Sequence, residues 1–213
     1  MKVRVRSVLI LVSLFLVIGV SISLFLVAGS NPPSAAPDVS DIKVLPKANT
    51  TGGMPLMEAL ALRVSGRSFS ERALPDQVLS DLLWACWGVT RPDGRRTAPT
   101  SRNKQNIQVY AALESGVWLY EGVKHELVRV LKDDVRAKFG GAPLTLIYAA
   151  EDGYYASGMH AGSLYQNVGL YCASVGLANV VKLNGVDVLD AAALKLPEGY
   201  RVYIVQPVGY PRS

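Results

Sequence analysis

The chain has 213 residues, 50% of them apolar, and a formal net charge of +5, enough for one domain plus an appendage. Without Lys2, Arg4 and Arg6, 19 basic residues face 17 acidic ones, so the remainder carries only about +2, which argues against a nucleic-acid binder. His125 and His160 are the only histidines; with Cys86 and Cys172 they show no metal-ligand spacing, and a Ser/His/Asp hydrolase is poorly supported.

The leading cations precede Val8–Ala28, an uncharged run whose polar interruptions are Ser13, Ser21 and Ser23. As a helix it is roughly 30 Å long, the thickness of a bilayer's hydrocarbon core. That length favours residues 1–28 as an uncleaved membrane anchor, while the small residues Ala28-Gly29-Ser30 leave a cleaved signal peptide open. In either case the cationic end stays in the cytoplasm and the remainder is exported. The expected location is therefore the cell membrane, single-pass with the domain outside the cytoplasm, or periplasmic or secreted after cleavage. Residues 29–53, with Pro32, Pro33, Pro37 and Pro46, read as a proline-rich tether to a domain at 54–213.

The domain opens with a helix over residues 55–65, whose apolar set is Leu56, Ala59 and Leu60. A second helix spans about 75–87, with Val78, Leu79, Leu82, Leu83 and Cys86 on one stripe and Gly88 as its stop. Residues 90–105 have no period and are strongly basic. From Ile107 the period becomes two: strands at 108–113 and 117–120 flank Glu114-Ser115-Gly116, and another follows at 126–131. A short helix is expected at 133–139. The continuous apolar run 144–149 suits a central strand. Residues 158–177 form the longest helix, followed by a strand at 179–183, a helix at 188–194 and a last strand at 200–208. With no repeating βαβ unit, the class is α+β: helices on a mainly antiparallel central sheet, preceded by the N-terminal apolar helix. Both cysteines lie in helical apolar patterns and read as buried small hydrophobes.

Arg63, Ser65 and Arg67 close the first helix with two cations and a hydroxyl, a set able to hold a phosphate. Residues 59–69 around them resemble the opening motif of the FMN-dependent nitroreductase superfamily. So do Leu79–Thr90, and Arg95–Gln105 as its proline–serine–asparagine loop. His160–Asn167 with Gly176-Leu177 resemble its long helix, and Pro207–Pro211 its closing strand. The likeness runs from about Lys43 to Ser213 and is nearest to the branch of azoline-forming dehydrogenases and exported nitroreductase-like proteins. It implies a homodimer with two FMN molecules at its interface. Arg63 and Ser65 would contact the phosphate and ribityl chain, Arg67 the pyrimidine edge, and Asn103 the ring. The backbone around Val180 and Val181 would pass near flavin N5, and Arg212 would close the phosphate site.

The resulting expectation is an exported, membrane-tethered FMN oxidoreductase, moving two electrons as a hydride to a small-molecule or peptide substrate. The cofactor carries that chemistry, so no catalytic nucleophile or base stands out. The alternatives are an azoline-type peptide dehydrogenase and a flavin-free binding or scaffolding domain on the membrane surface.

Overall fold

The computed structural model describes residues 41–212, apart from 185 and 190. One antiparallel sheet orders its strands β1-β4-β3-β2-β5-β7-β6. These are β1 Ile42–Val44, β2 Ile107–Leu113, β3 Gly116–Glu121, β4 Glu126–Leu131, β5 Leu144–Glu151, β6 Ala178–Asn179 and β7 Tyr200–Gly209. Three α-helices accompany them: α1 Leu56–Leu62, α2 Asp76–Trp87 and α3 Ser157–Val175. The expected apolar helix before the domain lies outside the described residues. Among the described residues no helix is long and apolar enough to cross a membrane.

Strand β5 is central because seven of its eight residues are buried, and its alternation feeds two cores. Leu146, Tyr148 and Ala150, with Val109 and Ala111 of β2, face Leu82, Leu83 and Cys86 of α2 and Leu164, Val168 and Cys172 of α3. Ile147 and Ala149, with Tyr110 and Ala112, face Val135, Phe139, Leu189 and Leu194 on the opposite side. A continuous apolar strand is the sequence consequence of packing on both faces. Cys86 and Cys172 are both free and buried, and burial pushes the Cys86 thiol up to about 12, which leaves it unreactive.

Several boundaries differ from expectation. The tether gives way before residue 53: β1 pairs with β4, and Leu45 and Ala48 are buried. His125 fixes this stretch, its ring Nε2 lying 3.0 Å from the Pro46 carbonyl and its Nδ1 2.9 Å from the Tyr120 hydroxyl. Helix α1 stops at Leu62, and Arg63 takes extended backbone angles. Of its expected apolar set only Ala59 is buried; Leu56 is 62% and Leu60 43% exposed. The helix expected at 133–139 is only a 3-10 turn, Arg136–Phe139, ended by Gly140 at φ 102°. The helix expected at 188–194 is replaced by a 3-10 turn, Val186–Val188, and further turns before Pro197. The strand expected at 179–183 is reduced to Ala178–Asn179 and a single bridge from Lys182 to Val205.

Candidate functional site

The polar residues of interest collect in two places along α3. The first is a cation strip at the open edge of the sheet. The Gly66 N–H donates to the Asn179 carbonyl at 2.8 Å, Phe69 bridges to Pro211, and the Arg212 N–H donates to the Ser68 carbonyl at 3.2 Å. Residues 63–69, β6 and the 210–212 segment are thereby tied together, which explains why α1 ends early: its continuation is recruited by the sheet edge. A Cβ at Gly66 would stand 2.7 Å from the Ala178 Cβ, so this approach requires glycine. Beneath it runs a buried polar chain. The Tyr148 hydroxyl donates to Gln206 Oε1 at 2.5 Å, and Gln206 Nε2 donates to Asn179 Oδ1 at 2.9 Å. Burial raises the Tyr148 phenol well above its ordinary pKa, so it stays a donor.

These ties bring the backbone of Arg63, Ser65, Arg67 and Arg212 to one edge of the sheet, where Leu62, Val64, Gly66, Gly169, Asn179 and Pro211 line an open pocket of about 280 Å³. The Arg63 stem lies over Gly169 of α3, where an added Cβ would meet its Cδ at 3.5 Å. Among the described residues none of Arg63, Arg67 and Arg212 has a carboxylate within 4.0 Å. Cations and a hydroxyl with no acid to neutralise them suit a phosphate dianion, so Arg63, Ser65 and Arg212 fit the phosphate end of FMN. Val180 and Val181 border the strip, but differently. The Val180 N–H is taken by the Pro207 carbonyl at 3.2 Å, and Lys182 exchanges both bonds with Val205. Strand alternation therefore turns the Val181 amide away from β7, toward the open edge.

The second place is the loop carrying Asn103. Arg102, Asn103 and Gln105 have φ of 53°, 52° and 49°, left-handed conformations that cost non-glycine residues about 1–2 kcal/mol each. Surrounding bonds hold them there. Arg96 donates through Nε to Gln105 Oε1 at 2.7 Å and through Nη1 to the Trp87 carbonyl at 2.8 Å. Gln105 Nε2 donates to the Gly94 carbonyl at 3.1 Å and to Asn103 Oδ1 at 3.0 Å. This last bond orients the Asn103 amide, leaving its NH2 end as a donor. The Ser101 N–H donates to His160 Nε2 at 2.8 Å, and His160 Nδ1 lies 2.8 Å from Asn106 Oδ1. His160 must therefore be neutral with its proton on Nδ1, and burial followed by the Lys104 charge holds its pKa below the ordinary value.

His160, in the first turn of α3, is a structural histidine. The parts played by Gln105, Arg96, Asn106 and Gln206 were not legible, because each depends on a partner distant in sequence or on a loop without period. The two places are fixed at different points of α3. One is pinned to His160 and the other to Gly169, nine residues or roughly 13 Å along α3.

The Nitroreductase family model matches residues 60–210. A Methanocaldococcus jannaschii protein that carries the name nitroreductase is 28% identical over 170 residues, 68% of this chain and 80% of that one. A solved structure from Ralstonia eutropha, also named a nitroreductase, is 35% identical with a TM-score of 0.74, covering 88% of this chain and 97% of that one. A nitroreductase with bound FMN from Bacteroides fragilis shares the fold, at a TM-score of 0.53 and 20% identity, covering 74% of this chain and 88% of that one.

Proposed function

This chain belongs to the nitroreductase family, and from that premise we propose that it is an FMN-dependent oxidoreductase working as a homodimer. We also propose that residues 1–28 tether it to the membrane with the domain outside the cytoplasm. The observation that carries the cofactor reading is that Arg63, Arg67 and Arg212 have no carboxylate partner among the described residues. Arg63 and Ser65 would hold the phosphate and ribityl chain, Arg212 would close that end, and Arg67 would approach the pyrimidine edge. Bound there, FMN would supply two-electron hydride chemistry. A guanidinium near the pyrimidine edge lowers the cost of the negative charge that reduction brings, and the outward Val181 amide suits the other side of the ring.

Homodimer formation accounts for the separation of the two places. In this reading the Asn103 donor of one copy would serve the cation strip of the other. Helix α1 and the residue pair after it favour the same reading, since Leu56, Met57, Leu60 and Leu62, with Val64 beyond the helix, are all exposed and an apolar group of this kind marks an interface. Export and tethering rest on Lys2, Arg4, Arg6 and the apolar run Val8–Ala28. Protease added to spheroplasts should digest the domain; protection in intact spheroplasts but not in lysed ones would contradict export.

The test of the site is the double substitution Arg63→Ala/Arg67→Ala. Each charge-assisted contact contributes about 1.5–3 kcal/mol, so FMN affinity should fall by about a hundredfold or more while the circular dichroism is unchanged. Unchanged affinity would return these arginines to an ordinary solvated surface and favour the flavin-free scaffold.

A further inference from the structure

The buried polar chain under the sheet edge has a direction, and a backbone carbonyl sets it. Gln206 is fully buried, and its Nε2 donates to the Tyr165 carbonyl at 3.2 Å. A carbonyl oxygen only accepts, so this end of the Gln206 amide must be the NH2. The opposite end, Oε1, therefore takes the proton of the Tyr148 hydroxyl. The second Nε2 proton goes to Asn179 at 2.9 Å, and a donor at that point obliges Asn179 to turn its oxygen inward. The Asn179 NH2 consequently faces the other way.

Three observations put that NH2 on a cavity. Asn179 is only 6% exposed, yet it lines the open pocket of about 280 Å³ between residues 62–66, α3 and β6. Among the described residues its Nδ2 has no hydrogen-bond partner, and it is not sealed in: the enclosed side-chain atoms without partners belong to Thr97 and Thr145. Its oxygen lies 3.8 Å from the point where a Cβ at Gly169 would stand, and the Arg63 Cδ lies 3.5 Å from the same point. The amide and the Arg63 stem are thus neighbours over one glycine. The other side chains of the lining, among them Leu62, Val64, Ala173 and Leu177, offer no hydroxyl, amide or charge. A single oriented donor in an otherwise apolar hollow is how a site fixes the placement of a ligand oxygen.

We infer that Asn179 is a binding residue whose NH2 donates to an uncharged oxygen of the ligand in this pocket, and that Gln206 is the positioning residue that keeps this end of the amide outward. The ligand's identity rests on the FMN reading, and on that reading the oxygen is a hydroxyl of the ribityl chain. Asn179 stands beside the aliphatic stem of Arg63, set back from the guanidinium that would take the phosphate. The cations hold the charged end, and the polyol has a neutral contact of its own.

Fluorescence titration of the full-length protein with FMN and with riboflavin, which keeps the ribityl chain and lacks the phosphate, separates the two roles. Asn179→Ala should weaken both flavins by the same factor, about fivefold, the worth of one neutral hydrogen bond. Arg63→Ala should weaken FMN far more than riboflavin. Asn179→Asp is isosteric and still accepts from Gln206 but presents no donor; it should also weaken both flavins, and it carries the test if the alanine variant does not fold. Gln206→Leu should reproduce the loss, and Gln206→Leu/Asn179→Ala should bind no more weakly than Asn179→Ala alone. Losses that add in the double variant would overturn the positioning role of Gln206. Unchanged affinities in the Asn179 variants, or a loss confined to FMN, overturn the inference and leave the FMN reading standing. Folded protein that binds neither flavin overturns that reading and the inference with it.

Discussion

His160 shows how one side chain can set the geometry of a loop it does not belong to. Its Nε2 accepts from the Ser101 N–H and its Nδ1 donates to Asn106, so the ring works only when neutral. Its pKa, and that of His125, is held below the ordinary value chiefly by burial. Groups depressed on folding leave the unfolded chain binding more protons, so stability rises with pH across that window. The histidine contribution is therefore complete above about pH 6.5, the unfolded value, and is lost as pH falls toward the lowered folded values. Urea midpoints measured from pH 8 to pH 5 should decline over this range, and His160→Asn should flatten the decline; an unchanged slope would contradict the assignment. The cations of the strip were legible as residues, since Arg63, Ser65 and Arg67 sit within five positions. Their supports were not. Nothing in the spacing of Tyr148, Asn179 and Gln206 indicates that they form one buried chain, because their meeting is decided by sheet pairing.

At the scale of elements, the cation strip owes its position to an edge. Residues 63–69 leave the helix to pair with β6 and the 210–212 segment, and Gly66 permits the approach. In Gly66→Val the added side chain would collide with Ala178, an overpacking cost of about 1–3 kcal/mol. FMN affinity should fall by about tenfold or more with it, measured by fluorescence titration, while the sheet signal in circular dichroism is retained. Full affinity in this variant would mean that the strip does not need its tie to β6. The same edge explains where periodicity succeeds and fails. Strands β2, β3 and β5 follow their apolar pattern because both faces are packed. The end of α1, the short β6 and the turns at 186–196 are set by tertiary bonds and by Gly and Pro, which a 3.6-residue or two-residue period does not register.

The whole molecule is where the two halves of the site must be joined. The anchors of the two places, His160 and Gly169, stand roughly 13 Å apart along α3, and α1 leaves large apolar side chains uncovered. Leu60→Glu, placing a charge on that face, should yield a folded monomer in analytical ultracentrifugation and lose FMN together with dimerisation. A monomer that keeps full flavin affinity would show that each chain binds FMN alone. The central claim is more general than any of these variants: the strip exists to hold FMN. Its most direct test is an absorption spectrum and FMN titration of protein purified from the exported fraction. The account predicts flavin absorbance saturating at one FMN per chain; colourless protein that takes up no added FMN would contradict it.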